Sequence, residues 1–286
     1  MNDEIRGLYR TAGSIAAQVR NETIRKILEG ESLLDIANFV ESRTTELGAG
    51  IAFPCNLSLN DTASHFTPCD NSTFKNGDVV KLDIGVHVDG YIADTATTIE
   101  VGTNIHKNLI NTAELALENA IKSVQAGVET KEISSAIENT IINKRLNPVL
   151  YLSGHGLDRY DLHSDIKIPN YSTSYNCKIK NDHVLAIEPF VTYGTGEIMK
   201  EEACIFQVNP SRTGRTPGQR EILKKLTDRF GTFPFAHRWL SDPGCLSRLK
   251  DMIREFPVIK ECDGNIVAQA EHTVIVDEAG CEVLTR

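Results

Sequence analysis

No stretch of this sequence comes near the roughly 18 consecutive apolar residues that a membrane-crossing helix needs. The opening Met1-Asn2-Asp3-Glu4-Ile5-Arg6 likewise lacks the apolar run of a secretory leader. The cytoplasm is therefore the expected compartment, and no membrane partner is expected. No Cys-x-x-Cys pair occurs among the seven cysteines (55, 69, 177, 204, 245, 262, 281) and their number is odd, so neither a disulfide framework nor a structural zinc ribbon is indicated. Reduced, mostly buried thiols are the expectation. There is also no Lys/Arg run, and the net charge of −9 opposes direct nucleic-acid binding as the main function. What remains is a globular chain of 286 residues, 41% apolar, enough for one large domain or two small ones.

The most informative feature present is an internal repeat. Lys75-Asn76-Gly77-Asp78-Val79-Val80-Lys81-Leu82-Asp83-Ile84-Gly85-Val86 aligns without a gap on Lys180-Asn181-Asp182-His183-Val184-Leu185-Ala186-Ile187-Glu188-Pro189-Phe190-Val191, which sets Asp83 against Glu188. Each is a carboxylate inside an apolar strand pattern. An ionised carboxylate in such surroundings costs several kcal/mol or more unless a cation or several donors compensate it. Two at equivalent places point to a charged ligand held between the halves, a metal before anything else.

Helical spacing of apolar residues predicts a helix over 4–28 stopped by Gly30, then one from the cap Ser32 to Gly48. A polar, proline-bearing stretch, 49–76, precedes the strand starting at Val79. The order recurs as a helix over 108–126, a helix from the cap Thr130 through Ile141, a Gly/His/Asp-rich stretch, and a strand at 184. Residues 208–260 interrupt the second copy, with a helix start at Thr216-Pro217 and shorter helical patterns at 235–240 and 244–255. The expected division is 1–207 with 261–286 as one catalytic domain and 208–260 as a helical insertion. A closing strand pair, 266–276 and 280–285, carries Glu271.

Asp89-Gly90 is the strongest hairpin turn in the chain. Pairing Val88 with Tyr91 sets Asp83 opposite Ala96 and Gly85 opposite Asp94, so Asp83 and Asp94 become diagonal neighbours on one face. If the halves pack about a pseudo-two-fold axis, Glu188 and Glu271 join them, and two divalent cations would neutralise the four charges. His155, between Gly154 and Gly156, is the expected nitrogen ligand, because the glycines permit close approach. Four oxygen donors to one nitrogen favour Mn, Fe or Co over a sulfur-rich zinc site. His272 alternates to the face opposite Glu271, and His87, His106, His183 and His237 read as surface or packing residues.

These residues, with Ala52-Phe53-Pro54, Ser58-Leu59-Asn60, Ala63-Ser64-His65-Phe66-Thr67-Pro68, Leu162-His163 and Ala268-Gln269-Ala270-Glu271-His272-Thr273, give a chain that resembles the type 2 methionine aminopeptidases over nearly its whole length. The resemblance implies an α+β, pita-bread fold: two pseudo-two-fold related helix-helix-β-hairpin halves around a curved antiparallel sheet, with a small helical insertion. It implies that Asp83, Asp94, His155, Glu188 and Glu271 hold two divalent metals (Co, Mn, Fe or Zn), with Asp94 and Glu271 bridging. Glu188 would act as general base for a hydroxide pinned between the ions. His65 and His163 would bind the substrate's amide and the oxyanion, and Phe53 and Phe206 would line the methionine pocket. The implied activity is removal of N-terminal methionine from nascent polypeptides, with a small second residue preferred, by a monomer working near the ribosome.

Three places depart from the family pattern: Cys55-Asn56-Leu57 stands where a small pair such as Thr-Gly is common, Phe256 replaces a tyrosine, and Pro189 follows Glu188 as in proline-specific relatives. Two other functions share the fold. An X-Pro peptidase of the prolidase or aminopeptidase P type would ordinarily carry a further N-terminal domain, and a non-catalytic binding protein would lack some of the five ligands.

Overall fold

Asn2 and Ser32 each offer a side-chain oxygen to the open N–H groups of a helix start, Asn2 to Ile5 at 2.8 Å and Ser32 to Asp35 at 3.3 Å. In the computed structural model, which describes residues 1–286, helices α1 (Asp3–Ile24) and α2 (Leu33–Glu46) begin there. The first helix stops four residues short of the expected end, where Lys26 N–H turns back to the Thr23 carbonyl at 2.8 Å. The second pair is α3 (Lys107–Lys122) and α4 (Thr130–Asn143). Thr130 is the first helical residue and not the cap. Its hydroxyl is taken by the Cys177 N–H at 3.0 Å, and the Glu132 carboxylate accepts from Glu129 N–H instead.

The expected polar stretch 49–76 holds two strands, β1 (Gly50–Leu59) and β2 (Thr62–Ser64). Ile51, Phe53, Cys55, Leu57 and Leu59 carry the period-two pattern, and Pro54 is tolerated because β1 lies at a sheet edge. Strand β1 pairs with β3 (Val79–Val88), which pairs with β4 (Tyr91–Glu100). The Asp89-Gly90 turn, with φ of 50° and 85°, sets the expected register: Val88 opposite Tyr91, Asp83 opposite Ala96, Gly85 opposite Asp94.

The second half also has more strands than its sequence suggests: β5 (Asn147–Pro148), and the hairpin β6 (Ser153–Asp158) and β7 (Asp161–Pro169), fill the Gly/His/Asp-rich stretch. Then come β8 (Val184–Ile187), β9 (Phe190–Thr192) and β10 (Ile198–Val208), followed by α5 (Pro217–Phe230) and β11 (Phe235–Ala236). Three short 3₁₀ turns, His237–Trp239, Pro243–Arg248 and Lys250–Met252, lead to β12 (Ile253–Glu261), β13 (Val267–Gln269), β14 (His272–Asp277) and β15 (Gly280–Val283). Residues 253–260 are thus strand, paired along β10, and the helical part of the 208–260 segment ends at Met252. The main sheet of this half runs β15-β14-β8-β6-β7, so β8 lies between β6 and β14, the latter far along the chain, and the second hairpin is an opened version of the first. Glu188 and Glu271 also differ from expectation, since both fall in breaks between strands, after β8 and before β14.

Ala12, Ala16, Ala49, Val86 and Ala93 let α1 lie close on the first sheet, while α3 and α4 cover the second with Leu109, Leu117, Ile133, Ile137 and Ile141. Where the halves meet, β4 does not pair with β13 and β14 by a regular ladder. Threonine hydroxyls stand in for it. Thr98 Oγ1 donates to the Gln269 carbonyl (2.6 Å) and accepts from Gln269 N–H (2.8 Å), while Thr273 Oγ1 does the same for Asp94 at 2.8 and 2.7 Å. Between them Thr95 Oγ1 donates to the Glu271 carbonyl at 3.0 Å and Glu271 N–H reaches the Ala96 carbonyl at 3.0 Å.

Candidate metal centre

The seam sets carboxylates from both halves face to face. Asp83 on β3 and Asp94 on β4 are buried, 7% and 4% exposed, and Glu271 is 1% exposed. Register pairs His272 with Ile187, so one step further on Glu271 and Glu188 face each other across the break. His155, in what the sequence shows only as a Gly/His/Asp-rich stretch, lies on β6, opposite Ala186 of β8. Gly154 and Gly156 act within the sheet: a Cβ at 154 would lie 2.5 Å from the Ala186 carbonyl oxygen, and one at 156 would lie 2.1 Å from Ser164 Oγ. The His155 imidazole thereby comes 3.8 Å from Asp94 Oδ2 and 3.6 Å from Glu188 Oε1, both from Nε2. Ligand atoms of Asp94, His155 and Glu271 all lie within 4.8 Å of one another. All five expected ligands line one cavity.

This donor set is short of positive charge. Asp83 Oδ1, Asp94 Oδ1 and both Glu271 carboxylate oxygens are buried without a hydrogen-bond partner. No Lys or Arg pairs with any of the four acids. Even Lys81, fully buried two residues from Asp83, donates instead to the carbonyls of Asn60 (2.7 Å) and Val79 (3.4 Å). Burial therefore pushes the Asp83 carboxyl up to about 7, and burial together with mutual repulsion holds Asp94, Glu188 and Glu271 well above the carboxylate range. Burial pulls His155 down to about 4, so the ring is neutral with a lone pair to give. Hard oxygen donors, a neutral imidazole and orphaned buried oxygens together fit divalent cations.

His65, expected in the site, is there with φ of 64°, a left-handed conformation. Its Nδ1 lies 3.2 Å from the Pro257 carbonyl, which can only accept, so the proton is assigned to Nδ1 and Nε2 is left as an acceptor. Burial lowers its pKa to about 4. His163, on β7, lies with its ring 4.5 Å from that of His155 and stacked 6.1 Å from Phe256. Phe53 lines the cavity over Gly85, where a Cβ would come within 2.2 Å of the ring. Phe206 does not line it. Alternation along β10 turns Ile205 into the cavity and Phe206 to the opposite face, where it packs with Leu223, Leu226 and Phe235.

The structure adds wall residues that the sequence left unassigned, Asn56, Ser64, Leu162, Ile205 and Pro234, and sets Phe256, the residue in the tyrosine position, among them. Asn56 belongs to the Cys55-Asn56-Leu57 departure. An irregularity in β1 between Phe53 and Asn56 lets both face the cavity, and Asn56 stands opposite Asp83. Gln269 Nε2 donates to Asp83 Oδ2 at 3.4 Å and to Glu188 Oε2 at 3.5 Å, bridging the halves. Its signal in the sequence is a neutral amide two residues before the candidate ligand Glu271, visible but without an assigned role.

The model of metallopeptidase family M24 matches residues 7–278. The chain is similar to the methionine aminopeptidase of Archaeoglobus fulgidus, 43% identical over 293 residues that cover all of both chains. The crystal structure of methionine aminopeptidase from Thermotoga maritima superposes with a TM-score of 0.76 at 24% identity, covering 100% of this chain and 98% of that one. The structure of a thermophilic Arx1 gives 0.85 at 19% identity over 99% and 91%. At these identities the two structures speak for the fold.

Proposed function

The chain belongs to metallopeptidase family M24 and has its pita-bread fold, and on that premise we propose that it is a methionine aminopeptidase, cutting the first methionine from polypeptide N-termini. The observation that carries this reading is the convergence of Asp83, Asp94, His155, Glu188 and Glu271 with unpaired buried oxygens. Those residues would hold two divalent ions (Co, Mn, Fe or Zn), and Asp94 and Glu271, from the two sides of the seam, have ligand atoms within 4.8 Å of each other and of His155. When bound, the ions supply Lewis acidity, lowering the pKa of a water and screening charge on the reacting carbonyl.

The protein's own groups do the rest. Glu188, the most accessible of the four acids, takes the proton of the attacking water as general base. His65 Nε2, an acceptor, meets the peptide N–H on the far side of the scissile carbonyl. His163, whose ring like that of His65 lies against Phe256, donates to the carbonyl oxygen as charge develops there. Phe53, Leu162, Ile205 and Phe256 offer an apolar wall to a methionine side chain. A small second residue is the preferred one, in keeping with a cavity crowded by His65, His163 and Phe256. No helix is long and apolar enough to cross a membrane, in keeping with a cytoplasmic role on new polypeptides.

Peptide hydrolysis tests the assignment. Chelated protein resupplied with Mn²⁺ or Co²⁺ should release free methionine from Met-Gly and Met-Ala peptides and leave X-Pro peptides intact. Cleavage confined to X-Pro peptides, or methionine release that is indifferent to chelation, would overturn it.

A further inference from the structure

Behind the metal centre lies a buried cation that the reaction scheme does not use. Arg20 of α1 is 8% exposed and forms no ion pair. Its one hydrogen bond runs from Nη1 to Thr95 Oγ1, at 2.5 Å. The guanidinium faces a second cavity with Asn21, Glu114, Leu117, Ala270 and His272 in its wall, and Glu118, also present there, is engaged by Arg286 Nη2 at 2.7 Å. A buried charge without a counter-ion is costly, and a methionine of similar length would fill the space more cheaply. The charge therefore needs a use.

The hydroxyl it touches supplies one. Thr95 follows Asp94 directly, and its Oγ1 donates to the Glu271 carbonyl at 3.0 Å. A hydroxyl has a single proton, and a guanidinium only donates. With Arg20 in place Thr95 must accept on that side, and its proton is committed to Glu271. Without Arg20 the hydroxyl is free to rotate away. The same bond is strengthened by the polarisation that the cation imposes.

We propose that Arg20 is a positioning residue for the metal centre: through Thr95 it holds the 270–273 crossing at the distance from β4 that lets Asp94 and Glu271 serve the same ions. This rests on the metal-centre reading above. Partners of metal ligands commonly set affinity by about 10–100-fold, and an effect of that size is expected here.

The test is Mn²⁺ titration by calorimetry on chelated wild-type protein and on R20M, T95V and T95S, with thermal unfolding of each before and after Mn²⁺. R20M and T95V should bind Mn²⁺ about 10–100-fold more weakly, with a smaller metal-induced rise in Tm. T95S, which keeps the hydroxyl, should return to wild-type affinity. Wild-type Mn²⁺ affinity in R20M and T95V, whether their metal-free Tm falls or not, would reduce Arg20 to packing and overturn the proposal, as would failure of T95S to rescue. Absence of Mn²⁺ binding in the wild type would instead sink the metal-centre reading itself, so the two failures are distinct. If R20M does not fold, R20L and R20K are read in its place, the first expected to bind Mn²⁺ as weakly as T95V and the second close to wild type; equal affinity in the two would overturn the proposal.

Discussion

His65 combines a left-handed backbone with a ring oriented by a carbonyl 3.2 Å away, two constraints that leave Nε2 a single presentation to the cavity. Removing that ring should cost on the order of 10²-fold in kcat. His65→Ala is expected to keep the wild-type Tm and Mn²⁺ affinity while losing turnover on Met-Gly peptides; loss of metal binding instead would mean that His65 is a ligand. Neighbouring Ile205 and Phe206 make a second comparison at this scale. Ile205→Ala should raise KM for methionyl peptides with little loss of stability beyond about 2–4 kcal/mol. Phe206→Ala empties a site in the α5 cluster and should cost about 3–5 kcal/mol in urea unfolding, with KM unchanged in the folded protein. The reverse pattern would return Phe206 to the pocket. Neither residue's direction was readable from sequence, because Ile and Phe on adjacent positions suit both faces of a strand equally.

Among the elements, β6 is the most demanding, because the candidate ligand His155 and two glycines share three successive positions between β7 and β8. At Gly154 an added methyl meets backbone, the Ala186 carbonyl, whereas at Gly156 it meets the movable Ser164 hydroxyl. Gly154→Ala is therefore expected to part β6 from β8, draw His155 away from Glu188, and cost about 1–3 kcal/mol together with Mn²⁺ affinity. Gly156→Ala should be milder on both counts, as read by urea unfolding and metal titration; equal effects would show that the strand spacing is not what sets His155. The hairpin β3–β4 needed no such context. Asp89-Gly90 specified its turn, the turn specified its register, and the register made Asp83 and Asp94 neighbours. Strand β1 carries a period-two apolar pattern too, but Pro54, Asn56 and Ser58 within it gave the stretch the look of a polar connection. Proline speaks against a central strand and is silent about an edge.

For the molecule as a whole, the unpaired acids make stability depend on pH in a direction opposite to that of ordinary surface carboxylates. Burial depresses His65 and His155 from 6.5 to about 4, so their neutral forms stabilise the fold fully above pH 6.5, and this is lost as pH falls toward 4. The acids run the other way. Raised in the folded state, they contribute stability below about pH 4, and it is lost as pH rises, for Asp83 through about 7. Above 6.5 the histidines no longer change, so the metal-free protein should lose Tm between pH 6.5 and 8. Because bound cations displace those protons, the rise in Tm on adding Mn²⁺ should widen over the same range. Scanning calorimetry with and without chelator checks both, and a metal-free Tm that climbs with pH would contradict a buried, uncompensated acid cluster.

The sequence by itself determined the duplicated helix-helix-strand order, the Asp83–Asp94 pair and a set of five candidate ligands, because turn chemistry, strand alternation and the cost of a buried carboxylate act over a few residues or between aligned copies. Tertiary structure decided what depends on distant segments meeting. It made β14 a partner of β8, set Glu188 and Glu271 in facing breaks, gave Ile205 to the cavity in place of Phe206, and carried Arg20 to the back of Thr95. In each of these the alternatives are locally equal in energy, and only the packing of one half against the other separates them.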